Sequence, residues 1–146
     1  MRVYIIDPNN ADVDFVGPSG FTDGGNGLAV RPSDGTILNT PIDANGLVIL
    51  NRNTGAGSVI PASVDNLPGK IGALDFKPDN VLYGVQKSSR IRMAEPAVIE
   101  LNGEEENAKY LIILNQSNGV TTTVGQTVDD LGAIVFAERN IEVPTI

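Results

Sequence analysis

The chain contains no cysteine and no histidine. Without cysteine there is no disulfide, no thiolate metal site and no thiol nucleophile. Without histidine the Ser-His and Cys-His activation schemes are gone, and so are the usual zinc ligand sets. Aromatic residues make up only 5% of the chain, so large core anchors are few. Bases are scarce as well: ten Lys and Arg stand against 18 Asp and Glu, a net charge of −8. Such a chain repels nucleic acid phosphates and anionic lipid, and neither is expected as a partner. Half of the bases (Lys70, Lys77, Lys87, Arg90 and Arg92) fall in one window and read as a local patch complementary to acidic groups elsewhere. Long apolar runs are missing too. The opening Val3-Tyr4-Ile5-Ile6 is too short for a signal segment, and no stretch approaches a membrane span. The expectation is a soluble chain with no signal peptide or transmembrane segment; the compartment stays open.

What is present points to short strands. The 146 residues suit one domain with a real core. There are 16 Gly and 9 Pro, and the turns they mark separate runs rich in Val, Ile and Thr. The fold class is therefore all-β. Val3-Tyr4-Ile5-Ile6 reads as a strand buried on both faces. Asp7-Pro8-Asn9-Asn10 is turn chemistry, and Asp12-Val13-Asp14-Phe15-Val16 alternates as a half-exposed strand does. Further strands are expected at 27–31, 36–40 and 47–50, in a run ending at Val59-Ile60, and at 71–80 and 81–85. After these come Ala97–Leu101, Tyr110–Leu114, 120–125, 131–137 and 141–143. Ala97–Leu101 is expected to pair with Tyr110–Leu114 across the Asn102-Gly103 turn, with a short helix near 92–96 as the alternative.

These runs repeat. Ile6-Asp7 corresponds to Leu50-Asn51 at an offset of 44 residues, and Leu50-Asn51 to Leu114-Asn115 at 64. Leu28-Ala29-Val30-Arg31-Pro32 corresponds to Leu74-Asp75-Phe76-Lys77-Pro78 at 46. The shorter offsets lie near the ~40–45 residue period of four-stranded propeller blades. The repeats span about residues 3–40, 47–85 and 97–143.

The phrase Ile71-Gly72-Ala73-Leu74-Asp75-Phe76-Lys77-Pro78-Asp79-Asn80-Val81-Leu82-Tyr83-Gly84-Val85 resembles the blade signature of β-propellers of the NHL-like and YVTN-like kind. The segment from Leu47 to Ile60 is similar to the strands that follow it in those blades, with an Asn-x-x-Thr-Gly turn. Asn80 stands where that signature has Gly, and the third copy lacks its Pro-Asp. The resemblance implies four-stranded blades whose first two strands are the inner pair. Three blades are too few to close, since propellers carry roughly four to eight. A head-to-tail homodimer would make a six-bladed ring, with one blade divided between the two ends of the chain. The alternative is a β-sandwich or open barrel formed by one chain.

The resemblance also implies that the first strand of each blade lines a central channel and that ligands bind at its mouth. The ligand-binding candidates are therefore Asp23, Asn26, Asp75, Asp129 and Asp130. No catalytic residue stands out. The Asp23-Gly24-Gly25-Asn26-Gly27 loop matches no phosphate-binding pattern. Asp7, Asn9, Asn10, Asp12 and Asp14 are a dense set of oxygen donors of the kind Ca²⁺ takes. Their counterparts in the other repeats lack carboxylates, so turn chemistry is the expectation and no cofactor is assigned. Asn115-Gln116-Ser117 is a glycosylation sequon set in a hairpin turn. Three functions follow: a binding or scaffold module for a small polar ligand, glycan or protein; a carboxylate- or Ca²⁺-dependent hydrolase or lactonase; or a purely structural half-propeller.

Overall fold

A computed structural model describes residues 1–22, 27–44, 46–60, 71–87, 108–128 and 131–136. The chain is all-β, with three antiparallel sheets of two, four and four strands among these residues. The first sheet is a hairpin of β1 (Arg2–Ile6) and β2 (Val13–Pro18). The second is a meander of β3 (Leu28–Val30), β4 (Ile37–Asn39), β5 (Val48–Leu50) and β6 (Gly57–Val59). The third is a meander of β7 (Ile71–Phe76), β8 (Leu82–Lys87), β9 (Lys109–Leu114) and β10 (Thr121–Gln126). A single turn of 3₁₀ helix at Ile42–Ala44 links β4 to β5. No helix among the described residues is long and apolar enough to cross a membrane.

Turn chemistry explains why the hairpins form where they do. After β1, β5 and β9 the chain makes the same six-residue turn. The N–H of the first residue bonds to the carbonyl of the sixth, and the N–H of the fifth bonds back to the carbonyl of the first. The first residue is Asp7, Asn51 or Asn115, and its side-chain oxygen accepts the N–H two residues on, at 2.8–2.9 Å. The fifth residue, Ala11, Gly55 or Gly119, has positive φ. These Asx-started turns are local instructions that fix strand register. The turns after β3 and β7 begin instead with a base, Arg31 or Lys77, followed by Pro and paired to Asp34 or Asp79.

The two four-stranded sheets pack face to face, approaching most closely where β3 runs beside β7. Ala29 and Leu38 from one sheet join Leu74, Phe76, Leu82, Ile112 and Leu114 from the other in one core. Leu82 and Ile112 are fully buried, each contributing about 1.5–3 kcal/mol of burial free energy. At the outer edge the chain after β2 crosses β6, and Gly57 donates its N–H to the Ser19 carbonyl at 2.9 Å. Phe21 lies against Gly57 and Val48 there.

Three expectations change. Both edges of Tyr110–Leu114 are taken, by β8 on one side and β10 on the other, so no edge is left for Ala97–Leu101, which itself lies outside the described residues. Pairing of β8 with β9 draws together segments far apart in sequence, a pairing that a local turn signal at Asn102-Gly103 does not reveal. The helix alternative near 92–96 also lies outside the described residues. Residues 131–136 form no strand. The run Val3–Ile6 is not buried: Tyr4, Ile5 and Ile6 are all exposed, because no third strand or second sheet covers the hairpin among the described residues.

Candidate functional site

Of the five ligand-binding candidates, Asp23, Asn26, Asp129 and Asp130 lie outside the described residues, and Asp75 is described. Asp75 sits in β7 opposite Tyr83 of β8. Strand alternation places both on the sheet face turned away from the shared core. Its Oδ2 accepts the backbone N–H of Phe136 at 2.6 Å. The Phe136 ring packs on Tyr83 with centroids 4.8 Å apart and planes at 48°. Asp75 thus anchors residues 131–136 along the outer face of the sheet. The carboxylate is half-buried and one of its oxygens is engaged, so here it holds chain to chain.

At the end of β4 a small buried polar group was not foreseen from the sequence. Asn39 and Thr40 are both buried. Asn39 Nδ2 donates to the Gly27 carbonyl at 2.7 Å, and Thr40 Oγ1 donates to the Ile71 carbonyl at 3.4 Å. Asn39 Oδ1 has no hydrogen-bond partner. The Asn and Thr of a strand end carry no marker that would separate them from turn residues, which is why sequence reasoning passed them over.

The opposite rim carries the hairpin turns, and there the two sheets are tied by polar groups. The Arg31 guanidinium forms a two-pronged pair with Asp34, at 2.9 and 2.6 Å, and reaches Gln116 Oε1 of the other sheet at 2.8 Å. Gln116 Nε2 in turn donates to the Asn80 carbonyl at 2.7 Å, and Asn80 Oδ1 accepts the Ser33 N–H at 3.0 Å. Asn80 has φ of 64°, a conformation Asn tolerates, so it serves the turn and the cross-sheet bond together. Hydrogen bonding to Arg31 holds the Asp34 carboxyl far below the usual carboxylate range, with the Thr36 donors adding to it. Lys77 lowers Asp79 in the same way. A shallow groove of about 230 Å³ lies between the turns after β3 and β5, lined by Asp34, Thr36, Ile49, Asn51, Arg52 and Asn53 among others.

Of the Asp7–Asp14 oxygen cluster, Asp7, Asn9, Asn10 and Asp12 bond to one another within their own turn. Asp7 Oδ1 accepts from both nitrogens of Asn9, and Asn10 and Asp12 bond to each other at 2.7 and 3.0 Å. Among the described residues no three Asp, Glu, His or Cys side chains come together as a metal-binding group. Of the basic window, Lys77 and Lys87 are described, and Lys77 pairs with Asp79 at 3.0 Å.

Set against known protein families, curated proteins and solved structures, the chain matches none.

Proposed function

We propose that the chain is a non-catalytic scaffold or binding module of the propeller type. In this reading its four-stranded sheets are blades, and two copies build a six-bladed ring. The ring would present its rim turns and channel mouth to a small polar ligand, a glycan or a protein. The supporting observation is the way the two meanders meet. Each runs through its strands in chain order, and the sheets come closest at their first strands, β3 and β7. Blades fanning out from an axis have that arrangement, with first strands innermost. The rim network of Arg31, Gln116 and Asn80 would fix the angle between neighbouring blades and so the shape of the mouth.

The test has two parts. Sedimentation equilibrium of the 146-residue chain at micromolar concentration should give twice the 15.4 kDa chain mass. A glycan and small-ligand screen should then find a binder whose affinity drops when rim residues such as Arg52 are changed. A compact monomer over the whole concentration range would remove the ring reading.

A further inference from the structure

We infer that hairpin β1–β2 of one copy and residues 131–136 of a second copy belong to the same sheet. This rests on the ring reading above and names the parts that close it. Its first support is a difference between equivalent residues. Leu28 and Val30 of β3 hold the positions that Leu74 and Phe76 hold on β7. Leu74 and Phe76 are 5% and 4% exposed because the preceding sheet covers them. Leu28 and Val30 are 59% and 51% exposed. The face in front of β3 is therefore an apolar face built like a covered one, with no cover among the described residues. Exposed apolar patches of this kind mark association surfaces.

Turn chemistry identifies half of that cover. The Asp7 turn is of the Asx-started type found after β5 and β9, the third strands of their sheets. Hairpin β1–β2 thus has the character of a third and fourth strand, with no first and second beside it among the described residues. Its one face carries Tyr4, Ile6, Val13 and Phe15, all exposed, and β1 has no charged residue after Arg2 to guard its free edge. The other half is the segment 131–136. It reads Leu-Gly-Ala-Ile-Val-Phe where β7 reads Ile-Gly-Ala-Leu-Asp-Phe. By sequence it is a first strand, and it has no sheet partner among the described residues.

These complementary halves cannot meet within one copy. Residues 131–136 lie on the outer face of the third sheet, at Asp75 and Tyr83. The chain leaving β2 covers the outer face of the second sheet, at Val48 and Gly57. The shared core lies between. A two-fold axis brings each half to its complement in the second copy and closes both seams at once. In that arrangement Val135, at the position of Asp75, faces Leu28 and Val30 of the other copy.

Sedimentation velocity on two charged variants tests this. Ile6→Asp with Phe15→Asp spoils the hairpin; Val135→Arg spoils the other half. All three side chains are exposed in the single chain, so far-UV circular dichroism should be unchanged. Each variant should sediment at half the wild-type mass, and mixing the two should restore a dimer, because one seam is then intact. In the wild type, β1 amides should exchange with solvent faster on dilution; that reading needs no variant. A wild-type dimer whose two variants also remain dimers, with β1 exchange insensitive to dilution, would overturn this pairing and leave the ring reading standing. A wild-type monomer would overturn both.

Discussion

The Asp75 carboxylate accepts the Phe136 backbone N–H at 2.6 Å across 61 positions of sequence. A hydrogen bond to a charged acceptor contributes about 1.5–3 kcal/mol. Asp75→Ala should lower stability by about that much, read as a shift in denaturation midpoint, and should speed hydrogen exchange at Phe136. Asp75→Asn keeps an acceptor oxygen and should recover part of the loss.

Ala11 occupies the positive-φ position that Gly55 and Gly119 fill in the equivalent turns, with φ of 60°. A side chain there costs about 1 kcal/mol. Ala11→Gly should raise stability by about 0.5–1 kcal/mol, and Gly119→Ala should lower it by about 1–2 kcal/mol. Asn80→Gly should show no such gain, because its side chain also accepts the Ser33 N–H. Thermal unfolding of the three variants in parallel checks the set.

Ile112 is fully buried at the centre of the two-sheet core. Ile112→Ala should cost about 2–5 kcal/mol in chemical denaturation. A value near zero would mean that the two sheets do not share a core.

Acid should loosen the rim. The folded-state pKa of Asp34 is depressed, so its contribution is present above the ordinary carboxylate pKa and is lost as the pH falls through the folded value. Asp34→Asn should therefore lose less stability than wild type on going from about pH 5 to pH 2. The group is exposed, so the difference should be small and should shrink in salt. Melting curves across that range at low and high ionic strength measure it.

Much of the strand pattern was legible because it is written locally. Asn51-Arg52-Asn53-Thr54-Gly55 states its own turn, and the apolar Leu47–Leu50 run before it states the strand. The pairing of β8 with β9 was not legible, since nothing near Lys87 or Lys109 names the other. Residues 131–136 read as a strand because side-chain pattern reports propensity, whereas a strand needs a partner edge. Of the candidate site, Asp75 was picked for its place in a first strand. Its actual partner, Phe136, is set by how one sheet lies against the next segment, a relationship with no local signature. The exposure of Val3–Ile6 is the reverse case: the apolar run reads as buried, and nothing among the described residues covers it.

The hairpin β1–β2 meets the rest of the chain where Gly17 crosses Gly55. A β-carbon on Gly17 would fall 2.0 Å from the Thr54 oxygen, and one on Gly55 would fall 2.7 Å from the Gly17 oxygen. The hairpin is a lever, and these two hydrogens are its pivot. A methyl added at either place would run into backbone, and the crossing would have to open. Neither position has room for a side chain, so Gly17 and Gly55 together set how the hairpin lies against the turn after β5.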